Sequence, residues 1–283
     1  QELMRFLSYI SNMTKNLDNF GLKSIADNYD LFFIDLWGVV HNGIKLYEDS
    51  IEVLDNLSKA KKNFILLTNA PRPNENVINF LKKIGLKKYF ENVFTSGEAA
   101  YKYLLSELDN QKFFHIGPPR DYDLFKNIEK NNVLNIEDAE YLLCTGLFEE
   151  HENNLNYYKN LFSDHISKKM ICTNPDLIVD RGEQREFCAG SVARLFEDIK
   201  GKVIYFGKPH PPVYKLSTNI LDKRVLCIGD NLNTDIKGAN LLNYDSLLIS
   251  NGIHKNEIKK KGIENVTKSY ETICNYIQSE LKW

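Results

Sequence analysis

The sequence predicts an α/β protein with a mainly parallel sheet. Short apolar runs recur along the chain, several of them ending in Gly, Asn or Asp. Segments with apolar residues at helical spacing lie between them. Runs of the first kind read as buried parallel strands meeting a loop, and strand alternating with helix is the pattern of a layered α/β fold.

The elements follow in order. The opening QELMRFLSYISNMTKN (1–16) predicts an amphipathic helix, since its apolar patch is broken by Ser and Asn and no small-residue cleavage site follows. LFFID (31–35) is the first strand, and DSIEVLDNLSKAKK (49–62) brings Ile51, Leu54 and Leu57 to one helical face. NFILLTN (63–69), helix NENVINFLKKIGL (74–86), NVFTSG (92–97) and helix EAAYKYLLSEL (98–108) come next. KFFHIG (112–117), YLLCTG (141–146), helix NNLNYYKNLFSDHIS (153–167), KMICTNPD (169–176) and helix GSVARLFEDIK (190–200) continue the alternation. KVIYFG (202–207), RVLCIGD (224–230) and YDSLLIS (244–250) complete the strands, and NPDLIVDRGEQREFCAG (174–190) reads as a loop.

The 283 residues, 43% hydrophobic and 26% charged, give room for one large or two moderate domains. A net charge of −2 gives no broad basic surface for nucleic acid or an anionic membrane, so the expected partner is a small metabolite. Five scattered cysteines without a CxxC pair suggest reduced thiols and a cytoplasmic protein. No apolar run reaches the ~18 residues of a membrane span. No repeat or Pro/Gly linker marks a domain boundary, and Asn/Lys-rich stretches such as KNNVLNIED (130–138) read as solvated surface.

Chemistry concentrates at the predicted carboxyl ends of strands, where ligands of such sheets sit. Asp35 closes the first strand, Thr68 and Asn69 the second; Lys208 follows YFG, and Asp230 and Asp235 follow VLCI. Singly, each has an ordinary reading as a cap, a turn residue or a solvated charge. Together they suit a phosphoryl group and a divalent cation. Carboxylates from two strands make a hard oxygen site of the kind Mg2+ takes, the threonine hydroxyl and following amide reach phosphate oxygens, and the lysine opposes developing negative charge. Asp35 is then the expected nucleophile, forming an aspartyl-phosphate.

The order FFIDLWGVVHNG, FILLTN, GKPHPPVY and CIGDNLNTDI resembles the four motifs of the haloacid dehalogenase (HAD) superfamily, over nearly the whole chain. TSGEAA, CTNPD and CAGSVARLFE are similar to the class IIA members, which carry a large α/β (C2-type) cap. The resemblance implies a Rossmann-like core over 1–97 plus 203–283 and an inserted cap over 98–202. It also implies Asp35 as nucleophile and Mg2+ ligand, the backbone carbonyl of Trp37 and Asp230 as further ligands, and Asp235 acting through water or orienting Lys208. Thr68, Asn69 and Lys208 would bind the phosphate, while Asn174 and Asp176 of the cap would lie over the site. Arg181 and Arg185 are candidates for a second anionic group of the substrate. Capped relatives often pair through the cap, which makes a homodimer the expected assembly.

Trp37 departs from the superfamily's phosphatases, which place there an aspartate that protonates the leaving oxygen and then activates water. An indole N–H has no such chemistry. The chain nevertheless resembles a subgroup that reads Asp-x-Trp-Gly at the first motif. Three readings follow: a phosphatase with a surrogate acid, for which His41 is the candidate; one acting on substrates with good leaving groups; and a catalytically weak or inactive regulatory protein that binds phosphate and Mg2+.

Overall fold

The computed structural model describes residues 14–181, 184–219 and 223–283. Most of the expected opening helix lies outside them, and at its end Lys15–Asn16 form a strand, β1, instead. All the other predicted strands form. At the centre of a seven-stranded sheet, β2 (Leu31–Ile34) runs parallel to β11 (Val225–Gly229) on one side and β3 (Asn63–Thr68) on the other. Beyond β3 lies β4 (Val93–Thr95). Beyond β11 come β12 (Asp245–Ile249), β13 (Tyr276–Gln278) and β1, again parallel.

β2 and β11 are buried at every position, which is why both read as unbroken apolar runs and not as alternating ones. Each such side chain removed from water stabilises the sheet by roughly 1.5–3 kcal/mol. The register sets Ile34 opposite both Ile228 and Leu66. The three strands thus end side by side, and the residues that follow them leave from one edge.

The chain divides into two compact units. One comprises 1–67, 81–93 and 218–283 and contains most of the seven-stranded sheet. After β11 it continues through a π turn (Leu232–Ile236) into the short helix Lys237–Leu241, and Leu232 and Ile236 pack with Leu248, Val266 and Cys274. A single π turn inside a helical stretch is a feature often found at functional sites.

The other unit comprises 68–80 and 94–217. Its four-stranded parallel sheet has the order β10 (Lys202–Tyr205), β7 (Lys169–Cys172), β6 (Tyr141–Cys144), β5 (Phe113–Ile116). Helices Leu155–Phe162 and Ala189–Asp198 cover it through Tyr158, Phe162, Val192 and Phe196. β10 pairs along its whole length with β7, so this strand belongs to the second sheet although most of it falls within the core range expected from the motifs. The segment expected as a loop over 174–190 instead contains an antiparallel hairpin of β8 (Ile178–Arg181) and β9 (Gln184–Phe187). Its charged, weakly alternating sequence carries little strand signal. The five cysteines are buried as thiols. No helix among the described residues is long and apolar enough to cross a membrane.

Candidate active site

Asp35 leaves the carboxyl end of β2, and its N–H donates to Ile228 O at 2.9 Å, so the first residue of the loop is still held by the sheet. The loop then folds back tightly. Leu36, Val39 and Val40 are buried, and the Leu36 carbonyl accepts the N–H groups of Val40 (2.8 Å) and His41 (3.1 Å). Gly38 stands at φ +78°, and a Cβ there would lie 2.3 Å from Asp230 Oδ2. From another direction Gly252 approaches the same carboxylate, where an added Cβ would stand at 2.2 Å. Only glycine allows the backbone so near the carboxylate. The Ile253 N–H donates to Asp230 Oδ2 at 3.0 Å.

Asp235 is presented by the π turn, with Oδ2 accepting the Asn231 N–H at 3.2 Å. Asn231 caps that turn by accepting the Asn233 N–H. His254 is a further support: its Nε2 accepts the Leu232 N–H at 3.1 Å, leaving Nδ1 facing Glu257 at 3.6 Å. Gly38, Gly252 and His254 were not singled out by sequence reasoning. The glycine after Trp37 and the strand-end sequence SNGIH (250–254) were the available signals.

The result is that Asp35, Asp230 and Asp235 each offer a carboxylate oxygen, all within 4.8 Å of one another. Asp230 and Asp235 are buried. Three negative groups packed so closely repel one another unless a cation or protons intervene. Mg2+, a hard cation, takes one or two such carboxylates directly and fills its shell with water and phosphate oxygens, so the third can act through a bound water. The donor set therefore fits the metal expected from the sequence.

Trp37 is 47% exposed, with its ring edge-to-face on His41 at a centroid separation of 5.4 Å. His41 is buried, its Nδ1 accepts the Gly43 N–H at 3.0 Å, and burial pushes its pKa down to about 4. At neutral pH it is an uncharged imidazole that holds the loop. This environment does not favour the surrogate-acid role.

The second group of expected residues lies in the other unit. Thr68 ends β3, and its hydroxyl oxygen accepts the Ala70 N–H at 3.3 Å. Lys208 is buried. Asn69 is engaged at both ends of its amide: Oδ1 accepts the Lys208 N–H (2.7 Å), while Nδ2 donates to Lys208 O (3.0 Å) and to Asp176 Oδ1 (3.0 Å). Both amide hydrogens are used. The Asn69 side chain accordingly clamps the backbone of Lys208, while the group expected to reach a phosphate oxygen is its main-chain N–H, which none of these three bonds uses. Asp176 anchors that clamp, and Asn174 Oδ1 accepts the Asp176 N–H at 3.0 Å, closing the Asn-Pro-Asp turn. The backbones of Arg181 and Arg185 lie in the hairpin, with Arg181 opposite Gln184 and Arg185 opposite Asp180; their side chains lie outside the described residues.

Comparison with known proteins agrees with this geometry. Residues 32–130 match the family described as haloacid dehalogenase-like hydrolase, and residues 205–275 match a HAD-hydrolase-like family. A 5′-nucleotidase, YutF, of Bacillus subtilis is 22% identical over 88% of this chain and 98% of its own. An acid sugar phosphatase of Staphylococcus haemolyticus is 25% identical over 90% of this chain and 97% of its own. The crystal structure of a haloacid dehalogenase-like hydrolase from Brucella suis superposes with a TM-score of 0.74 at 32% identity, covering 83% of this chain and 93% of that one. With the matched segments bracketing the three clustered aspartates, and with a relative of this identity over nearly its full length, the chain belongs to the haloacid dehalogenase-like hydrolase family.

Proposed function

We propose that the protein is a Mg2+-dependent phosphatase of small phosphomonoesters that works through an aspartyl-phosphate on Asp35, with Trp37 in place of the usual acid/base aspartate. The observation that carries this reading is the three-aspartate cluster at the carboxyl ends of β2 and β11. Relatives named as phosphatases of small phosphoesters support it.

An Asp35 oxygen attacks phosphorus, the bond to the ester oxygen breaks, and that oxygen leaves with a proton taken from solvent. Water then attacks the phosphorus of the aspartyl-phosphate, freeing inorganic phosphate and restoring the carboxylate. Held by Asp35, Asp230 and the Trp37 carbonyl, with Asp235 acting through water, Mg2+ would supply charge neutralisation for the phosphoryl oxygens. Thr68 and Lys208 bind the phosphoryl group, Asn69 keeps the Lys208 backbone in place, and the capping segment 98–202, with Asn174, Asp176, Arg181 and Arg185, selects the substrate. Pairing through the cap is part of the same reading and is tested by sedimentation.

The direct test is phosphate release from sugar phosphates, nucleotides, phosphoglycolate, pyridoxal phosphate and acetyl phosphate, with Mg2+ and with a chelator. Release that requires the metal from at least one phosphomonoester is expected. Silence across the panel, with Mg2+ still bound, would replace the enzyme by a regulatory phosphate-binding protein. Asn69→Ala is expected to lower kcat about 10- to 100-fold, since truncating a residue that orients the transition-state cation costs roughly 1.4–2.7 kcal/mol. Steady-state kinetics and a far-UV spectrum check this, and an unchanged kcat would remove the clamp from the mechanism.

A further inference from the structure

We infer that Trp37, Ile44 and Ile253 form an apolar rim around the carboxylate cluster that selects phosphomonoesters whose alcohol portion carries an aromatic or similarly flat apolar body. The inference rests on the phosphatase reading above and names its substrate class.

Trp37, Ile44 and Ile253 are 47%, 82% and 48% exposed. Large exposed apolar side chains on the loops that close on buried carboxylates offer surface of the kind at which ligands bind. The backbones beside Trp37 and Ile253 adjoin the carboxylate cluster, and that beside Ile44 lies against the Trp37 ring. Gly38, next to Trp37, and Gly252, next to Ile253, both close on the Asp230 carboxylate, and the Ile253 N–H donates to it. Trp37 is also two residues from Asp35.

The rim is built, not loose. Gly43 stands at φ +85°, and a Cβ there would lie 2.4 Å from Trp37 Cη2, so the indole lies directly against the backbone of the returning loop. His41 edges onto the same ring. Asn42 Oδ1 accepts the N–H groups of both Ile44 and Lys45 at 3.0 Å, an Asx turn that fixes the backbone of the exposed Ile44. A ring fixed by its neighbours and still half exposed offers contact area at little entropic cost.

The experiment compares benzyl phosphate with ethyl phosphate in Mg2+, two alkyl esters with the same head group. In wild type, kcat/KM for the benzyl ester is expected to exceed that for the ethyl ester by at least about tenfold, the discrimination that an apolar contact supplies. Trp37→Ala should shrink that ratio about fivefold or more, and Trp37→Phe should keep most of it. A wild-type ratio near one, or a ratio that Trp37→Ala leaves in place, overturns the inference while the phosphatase stands. Failure to hydrolyse either ester would count against the phosphatase and leave the rim to a binding measurement. The chain holds two tryptophans, so a Trp283→Phe background leaves Trp37 as the sole indole. In that background with Mg2+, benzylphosphonate should quench the fluorescence at lower concentration than ethylphosphonate, and equal titrations would reject the rim.

Discussion

Asp35→Asn is expected to lower phosphate release by at least about 10⁴-fold with the fold intact, because an amide of the same shape cannot form the aspartyl-phosphate. The change has a second, independent signature. In the metal-free protein the three carboxylates repel one another, and removing one charge relieves part of that repulsion. Relief of ~1 kcal/mol corresponds to a rise in Tm of about 2–4 °C for a chain of this size class. The same variant should gain less thermal stability from added Mg2+ than wild type does, since one ligand is weakened. Phosphate release, with scanning calorimetry in Mg2+ and in chelator, measures both. Comparable turnover in the variant would remove Asp35 as nucleophile, and a lowered metal-free Tm would contradict the like-charge reading of the cluster.

Trp37→Asp is the opposite experiment, a predicted gain. General acid/base help is worth about 10²- to 10⁴-fold in rate, or roughly 3–5 kcal/mol of barrier. Restoring a carboxyl group two residues after Asp35 is therefore expected to raise kcat on a small polar ester such as ethyl phosphate by about 10²-fold. Trp37→Asn is the control, because it clears the same space without supplying a proton. A gain in both variants would trace the effect to space, and a gain in neither would mean that the indole and its contacts with Gly43 and His41 are needed to shape the loop. The added carboxyl also places a fourth acid near the cluster, so the metal-free Tm of the aspartate variant should fall below that of the asparagine one.

Much of the architecture was legible because the central strands are buried on both faces and leave continuous apolar runs such as Leu31–Ile34. The missed strands carry no such trace: β1 spans two residues, and β8–β9 is rich in charge and excluded from both large sheets. At the site, Asp35 and Asp230 could be paired on paper because each closes an apolar run, with Asp235 five residues on, and the register of β2 with β11 then brings them together. The role of Asn69 could not be read in that way. It depends on the Lys208 backbone 139 positions away and on Asp176, 107 positions away, and no local spacing encodes such a meeting. The burial of His41 was equally hidden, since a histidine in a polar-looking loop gives no sign of whether its ring faces solvent.

The order of strands in the large sheet also bears on how the polypeptide matures at the ribosome. β2 emerges early, yet the strand that covers one of its edges is β11, and the contact between Arg224 and Asp30 at that join spans 194 positions. β1 waits longer still, for a last strand some 260 residues downstream. Until the C-terminal segment has been made, this fully buried apolar strand has one edge open to any extended neighbour. Nascent chains truncated before β11 should accordingly engage holding chaperones and resist native assembly, however complete their N-terminal portion.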